Sequence, residues 1–588
     1  MHTIQEQMNA AVQKAFASCG FADEGLRVQA SNRPDLCEYQ CNGAMAAAKR
    51  AGMKPIDIAG RVAELLKSEE LFSEVSAVTP GFINLRLKPE ALAETVRSMA
   101  AESKYGARMD RERCIMVDYG GANVAKPLHV GHLRSAIIGE ALKRMGAFFG
   151  NRMIGDVHLG DWGLQMGLII EELRLRKPEL PYYDPAFQGS YPAEAPFTIA
   201  ELEEIYPTAS KRSKEDPEFA ERAHEATLKL QGGEAGYRAL WKHILRISVA
   251  DLEKNYSALD VSFELWKGES DAQPFIPGLL RELEEKGIAR VSEGALVVDI
   301  AEEGDSKELP PCIVRKSDGA ALYATSDLAT LIDREQSFGP ELYIYIADKR
   351  QELHYTQFFR VARKAGIVPP AHELRYIGFG TMNGKDGKPF KTREGGVMRL
   401  ETLIREIREA VYRRISENRE IPEEEARDTA RIVALAALKY GDLSNQASKD
   451  YIFDIDRFAS LEGNTGPYIL YTAVRIRSIL KKYAAAGSAE ITERDLRPAG
   501  SAAEKALFLE LSRYAETVEG AWRELAPHRV CQYLYTLADT FNSFYHEIRI
   551  LAEEDEEKKR AYLALIRITE RILECCLGML GMEVPERM

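Results

Sequence analysis

From Cys114 onward the sequence repeats one pattern: a short apolar run, a loop, then a helix-period stretch. CIMVDYG leads into GANVAKPLHVGH and a helical pattern, and RMIGDVHLGDWG leads into a second one. Strand-like runs resume at ALVVDI, CIVRKS, ALYATSDLATLIDR, LYIYIADKR and LRYIGFGTM. Apolar runs without alternation belong to strands covered on both faces. Strands alternating with helices predict a doubly wound parallel sheet, Rossmann-like in architecture, over about 110–400. Such sheets bind ligands at the carboxyl ends of their strands, near the point where strand order reverses. An acidic, polar section over about 173–290 interrupts the pattern as an insertion.

The flanks read differently. Residues 1–105 predict a small α+β domain. An amphipathic helix opens it, DLCEYQCNGAMAAAKRAG reads as a loop and a glycine-ended helix, and TPGFINLRL alternates as a strand after a Pro-Gly turn. RSMAAESKYGARMDRER reads as a polar linker. After about residue 400 the strand signals stop. A helical connector (401–460) and an all-α bundle (461–588) follow. The fold class expected is α/β multidomain.

Composition narrows the function classes. The 588 residues carry a net charge of −13, which argues against a chain coated in nucleic acid but allows a local basic face. PYILYTAVRIRSILKKY (467–483) is such a face, with four basic residues, no acidic ones, and tyrosines at 468, 471 and 483. No window holds the roughly 18 apolar residues of a membrane span, and the start lacks a secretory layout. Eight cysteines are too sparse for a disulfide framework, and their spacing completes no zinc site, so no structural metal is expected. A reducing cytoplasm is the expected compartment.

HVGH (129–132) falls where the first sheet strand hands over to a helix. A helix N-terminus there would offer free N–H groups to a phosphate. Gly131 would let a nucleotide lie against the backbone, and His129 and His132 could donate to phosphoryl oxygens. GKDGKPFKTREGG (384–396) follows the last sheet strand. It carries Lys385, Lys388, Lys391 and Arg393, and could close over a triphosphate and neutralise a departing pyrophosphate.

These two signals resemble the HIGH and KMSKS motifs of class I aminoacyl-tRNA synthetases, with Phe390 in place of a serine. The longer strings NVAKPLHVGHLRS, HLGDWG, YATSDLA, HYTQFF, LEGNTGPYILYT, FNSFYHEIRIL and VPERM resemble the arginyl-tRNA synthetase family over essentially the whole chain. DYGGAN (118–123) departs from that family, where serines are usual at 120–121.

The resemblance implies ligation of L-arginine to tRNA(Arg) through an arginyl-adenylate, with Mg-ATP as substrate and the 2′-hydroxyl of the terminal ribose as acceptor. It implies catalytic roles for His129, His132, Lys388 and Lys391. ATP would meet these four, Gly131 and Met382, the last within FGTM before the loop. Arginine would meet Asp118, Asn123, Tyr323, Asp327 and Gln357. A carboxylate suits the planar guanidinium, and Tyr323 and Asp327 share a helix face at i and i+4. Phe82 and Asn84 would contact the tRNA D-loop, although Phe82 also reads as core. Tyr468, Tyr471 and Arg475 would meet the anticodon loop. A monomer is implied. A class I enzyme for another amino acid, a tRNA-binding paralogue without catalysis, and a small-molecule nucleotidyltransferase are the rival readings. The cysteine spacing, the paired histidines and lysines, and the flanking domains weigh against them in turn.

Overall fold

The computed structural model describes residues 3–23, 25–108, 111–388, 398–416, 422–487 and 489–588. The chain divides into two compact units, one of residues 1–110, 460–578 and 582–588, the other of residues 111–459 and 579–581.

In the first unit the N-terminal segment is a four-stranded antiparallel sheet packed with helices. Its strands are β1 (Val28–Ala30), β2 (Tyr39–Cys41), β3 (Phe72–Val78) and β4 (Phe82–Leu87), in the order β1-β2-β4-β3. Strand β4 alternates as its sequence predicts: Ile83, Leu85 and Leu87 are buried while Phe82, Asn84 and Arg86 are half-exposed on the other face. Phe82 is therefore not a core residue. The expected loop before the second helix contains β2, a strand of three residues specified by pairing with β4 rather than by local pattern. The expected linker begins as the last turn of the helix Pro89–Ala100.

The second unit is built on a parallel sheet of β5 (Cys114–Asp118), β6 (Arg152–Asp156), β10 (Leu342–Asp348) and β11 (Glu373–Phe379), in the order β11-β10-β5-β6. The chain runs outward from β5 to β6, then returns to the other side of β5 for β10. The strand order thus reverses between β5 and β10, and their carboxyl ends form the switch point. Ile115, Met116 and Val117 are all buried, as strands covered on both faces require. Met116, Leu328, Tyr343, Tyr345, Phe358 and Val361 belong to one core cluster.

Three expectations change. ALVVDI and CIVRKS do not join the parallel sheet; β7 (Ala289–Ser292), β8 (Ala295–Val298) and β9 (Cys312–Arg315) form a separate antiparallel sheet. The run YATSDLATLIDR, grouped with the strand-like stretches, is a helix throughout, as the i, i+4 reading of Tyr323 and Asp327 supposed. Leu322, in extended conformation, caps it; Thr325 accepts from the Leu322 N–H at 3.2 Å and donates to the Val314 carbonyl at 2.6 Å. Strands also do not stop at 400, because β12 (Met382–Asn383) pairs in parallel with β13 (Tyr451–Ile452).

The helices that position the site are α1 (Val130–Phe148), α2 (Ile199–Glu215), α3 (Tyr323–Ser337), α4 (Glu352–Ala365) and α5 (Glu423–Leu443). The insertion is helical, and its core, including Leu202, Ile205, Leu240 and Ile244, also takes in Val124 and Ala125. Ala125 holds φ +57°, and its N–H donates to Ser248 at 2.9 Å. The insertion thereby braces the segment leading to His129. In the C-terminal part of the first unit, α6 (Gly466–Ala485) packs with α7 (Pro527–Glu547) in the expected all-α bundle.

Arg134 ties the histidine helix α1 to its surroundings. Its guanidinium, 1% exposed, donates to Asp442 Oδ1 of α5 at 2.8 Å and to the carbonyls of Gly380 at 2.7 Å and Lys449 at 3.0 Å. Arg134→Met would leave a buried carboxylate without its cation. It should cost about 3–5 kcal/mol, read as a shift of the second unit's unfolding in denaturant titrations; a shift below about 1 kcal/mol would contradict this role.

Candidate active site

His129 caps α1 with its own imidazole. Its Nδ1 accepts from the Gly131 N–H at 3.0 Å, and the His129 N–H donates to His132 Nδ1 at 3.2 Å. With both Nδ1 atoms accepting, a neutral ring carries its proton on Nε2. Both rings are held neutral. Burial lowers the His129 pKa, helped by Lys126; burial, then the neighbouring His129, pushes His132 down to about 3. The pair therefore offers two Nε2–H donors and no net charge.

This corrects the expectation of free helix N–H groups. The N–H groups of Val130, Gly131 and His132 donate to Met398 O, His129 Nδ1 and His129 O. A phosphate here meets imidazole edges rather than a bare helix end. Gly131 also has a reason of its own: a Cβ there would lie 2.7 Å from His129 Cε1. The glycine lets the imidazole fold back over the helix start, and it is itself exposed.

The basic loop is anchored at both ends beside this pair. On one side β12 pairs with β13: Tyr451 N–H donates to Thr381 O at 3.2 Å and Phe453 N–H to Asn383 O at 2.8 Å. In a parallel ladder this register turns the N–H and C=O of Met382 to the opposite, open edge. Met382 itself is buried. Residues 384–388 form a tight turn, with Gly387 at φ +71° and the Gly384 N–H donating to Lys388 O at 2.8 Å. Lys388 is exposed, while Lys385 pairs with Asp454 at 3.2 Å. Phe390, Lys391 and Arg393 lie outside the described residues. On the other side Met398–Leu400 bridges back, with Arg399 opposite His129: Leu400 N–H donates to Leu128 O at 2.9 Å and Val130 N–H to Met398 O at 3.0 Å.

The expected arginine residues meet unequally at the strand ends. Asp118 and Asp156 are register partners on β5 and β6, and both accept from Arg334 Nη2 at 2.6 Å. Burial raises the Asp118 pKa and Arg334 opposes it. Asp118 is thus committed through Oδ2 to the protein's own guanidinium rather than being free for substrate. Asp327, on α3, is part-exposed. His354 Nε2 lies 2.6 Å from its Oδ2, and His158 Nε2 3.9 Å from its Oδ1. Tyr323, one turn before Asp327, is 74% exposed. Asn123 bridges to Gly160, where a Cβ would sit 2.1 Å from the Asn123 Oδ1; HLGDWG needs its glycine for that side chain. Gln357, on α4, has its amide engaged elsewhere. Its amide donates to the carbonyls of Pro310 at 3.0 Å and Pro311 at 3.2 Å, so only its oxygen remains for a ligand. In DYGGAN, Gly120 and Gly121 hold φ +119° and +58°, conformations that disfavour serine.

Sequence reasoning gave no role to four further residues. Arg334 closes the run ALYATSDLATLIDR, where nothing local marks its partners, and Glu269 lies outside the quoted strings. His158 and His354 lie within HLGDWG and HYTQFF, but a lone histidine carries no partner information. His158 takes φ +46° at the end of β6, strain that a functional site tolerates.

In the helical bundle, Arg475 lies 4.7 Å over the Tyr471 ring and 5.2 Å over Tyr545, and donates to Asn542 at 2.6 Å. Asn542 donates to Tyr468 at 2.9 Å. The three expected residues share one half-exposed face of α6, held in a single network with α7.

Glu269, at the start of the short helix Glu269–Ala272, yields a pH prediction. Burial lifts its carboxyl to about 7; His158 opposes, and Asp327 and Asp161 add to it. The folded state therefore holds a proton that the unfolded chain, at 4.5, releases first. The stabilisation is full below that lower value and is lost as pH rises through about 7. Glu269→Gln should raise the melting temperature relative to the parent chain at alkaline pH and not at acid pH, in paired thermal melts. An equal shift at both would contradict the assignment.

Comparison with known proteins gives the family. Residues 2–87 match the arginyl tRNA synthetase N-terminal domain, residues 95–455 the class I (R) tRNA synthetase catalytic domain, and residues 469–588 the DALR anticodon binding domain. The chain is 58% identical over 586 residues to an arginine–tRNA ligase of Agathobacter rectalis, covering 98% of each chain. It is 53% identical over 589 residues to that of Alkaliphilus oremlandii, covering 100% of each. The arginyl-tRNA synthetase of Plasmodium falciparum superposes with a TM-score of 0.82 at 25% identity, covering 100% of each chain. The Thermus thermophilus arginyl-tRNA synthetase shares the fold, with a TM-score of 0.78 at 23% identity, over 99% of this chain and 100% of that one. A chain matched from its first domain to its last in this way belongs to the class I arginyl-tRNA synthetase family.

Proposed function

We propose that the cleft at the carboxyl ends of β5, β6 and β10 carries both half-reactions of arginine–tRNA ligation. The reading is supported by two neutral Nε2–H donors on the segment that follows β5, and by a part-exposed carboxylate on α3 facing His158 from the end of β6. The arginine carboxylate attacks the α-phosphorus of Mg-ATP, forming arginyl-adenylate and releasing pyrophosphate. The terminal ribose 2′-hydroxyl of tRNA(Arg) then takes the arginyl group and AMP leaves. Neither step needs a protein nucleophile; position and electrostatics do the work.

In this reading His129 and His132 donate to phosphoryl oxygens, and being uncharged they do so without trapping the product. The open edge of Met382 receives adenine. Lys388 and Lys391 neutralise the departing pyrophosphate, and Mg2+ enters on the triphosphate. Asp327 takes the guanidinium, with Tyr323 beside it. Asp118 contributes its remaining oxygen and its field, Asn123 holds the amino-acid end, and Gln357 assists through its oxygen. Phe82 and Asn84 face the D-loop, and Tyr468, Tyr471 and Arg475 the anticodon loop. No helix among the described residues is long and apolar enough to cross a membrane; a cytoplasmic monomer is the proposed setting.

The decisive experiment is ATP–pyrophosphate exchange with each amino acid, with and without tRNA. Arginine-dependent exchange that requires cognate tRNA is expected, with tRNA binding shifting the population toward the competent state. No arginine-dependent exchange under either condition would leave the paralogue reading standing. Asp327→Asn should weaken arginine binding by about 2–4 kcal/mol with ATP binding unmoved; equal weakening of both would refute the guanidinium role. Tyr471→Ala should weaken tRNA binding by about 1–3 kcal/mol in filter-binding assays, with ATP and arginine binding intact. Loss of thermal stability together with every activity would instead make Tyr471 a packing residue.

A further inference from the structure

We propose that His354 is a positioning residue of the arginine subsite: its Nε2–H holds Oδ2 of Asp327 and so presents Oδ1 to the substrate guanidinium. The proposal rests on Asp327 being the guanidinium partner.

A carboxylate on a short side chain turns about its last bond, and a freely turning carboxylate meets a planar donor poorly. The 2.6 Å contact from His354 removes that freedom. The ring is itself held. Tyr355 meets it edge-on at 5.2 Å and Phe358 lies parallel to it at 6.3 Å. Tyr355 stacks on Tyr376 at 4.5 Å, and the Tyr376 hydroxyl donates to the Asp348 carbonyl at 2.6 Å. The histidine is therefore fixed from α4 and from the end of β10.

The other oxygen is in a different state. His158 faces Oδ1 at 3.9 Å, beyond hydrogen-bond reach. The two oxygens of Asp327 are thus inequivalent, one occupied and one open. Around them stand Asp118 from β5, Asp161 from the loop after β6 and Glu269 from the short helix; Arg334 of α3 is engaged by Asp118 and Asp156. Among these acidic groups any cation is attracted, lysine as well as arginine. Orientation is what separates a planar, forked guanidinium from a compact ammonium. A pinned carboxylate supplies it, and the ordering cost is met during folding rather than on binding.

The test is arginine-dependent exchange in the presence of tRNA(Arg), using His354→Phe, His354→Asn, His354→Gln and Asp327→Asn. Glutamine places an amide N–H close to where Nε2–H sits; asparagine sets it back, and phenylalanine removes it. His354→Phe and His354→Asn should raise the arginine KM about tenfold or more, while the KM for ATP stays within about twofold. His354→Gln should recover most of the loss. Thermal melts identify any variant that fails to fold, and the Asn–Gln comparison decides the matter if the Phe variant does. An unchanged arginine KM in His354→Asn, a glutamine variant as impaired as the asparagine one, or a parallel rise in both KM values would overturn the proposal. Selective loss of arginine binding in Asp327→Asn alongside a normal His354→Asn would overturn it while leaving the guanidinium reading intact. An Asp327→Asn enzyme with normal arginine KM would overturn both.

Discussion

Two carboxylates stand side by side at the ends of neighbouring parallel strands, and much of the site depends on what reconciles them. Asp118 and Asp156 are register partners, and Asp156 is fully buried. Such a pair cannot stay ionised without a cation. Arg334, 1% exposed, supplies it by donating to both from α3. One guanidinium thereby fixes β5 against β6 and draws α3 over the strand ends. Its other arm, Nη1, donates to the Tyr345 hydroxyl of β10 at 3.2 Å. Tyr345 in turn packs with Tyr355, Phe358 and Phe359 of α4. The orientation of α4, and with it His354, descends from the same ion triad.

A second buried arginine does the corresponding work on the side of the histidine pair. Arg134 leaves α1 one turn after the histidine pair and reaches Asp442 on α5 and the carbonyls of Gly380 and Lys449. It places the open edge of Met382 relative to the imidazoles. Both clusters hold a buried cation on short, multiple hydrogen bonds, which tolerate loss of a partner poorly. These clusters are buried, while Tyr323 and Lys388, proposed to meet the substrates, are exposed.

The histidine loop shows how the place of a motif can be legible while its internal hydrogen bonding is not. Its position between strand and helix followed from the periodicity. Its chemistry did not, because the helix end is already capped by His129 and by the bridge from Met398. Glycine at 131 follows from the same capping, since a side chain would strike the ring. The insertion is a similar case. Its composition suggested only a polar interruption, whereas its helices pack a core around Val124 and Ala125 and hold the loop's approach.

What the sequence by itself determined is whatever is local in period or long in string. The buried parallel strands, the helical bundle, the alternation of β4 and the arginyl-tRNA synthetase family were all legible, because burial imposes its period on neighbouring residues. What only the tertiary structure decided is which charges meet. Arg334 and Asp118 are 216 positions apart, and Arg134 and Asp442 308 apart. No local pattern marks such partners. The separation of β7–β9 from the parallel sheet, the three-residue β2 and the β12–β13 pair were missed for a related reason. Strands β2, β12 and β13 are too short to carry an apolar period, while β8 and β9 were legible as strands and only their sheet was not, because pairing between strands leaves no mark within one of them. Asp118 and Gln357 were candidates for the arginine site through the family resemblance; that Asp118 also holds an internal guanidinium and Gln357 two proline carbonyls could be seen only in the fold, since a polar group bonds whatever the packing brings within reach.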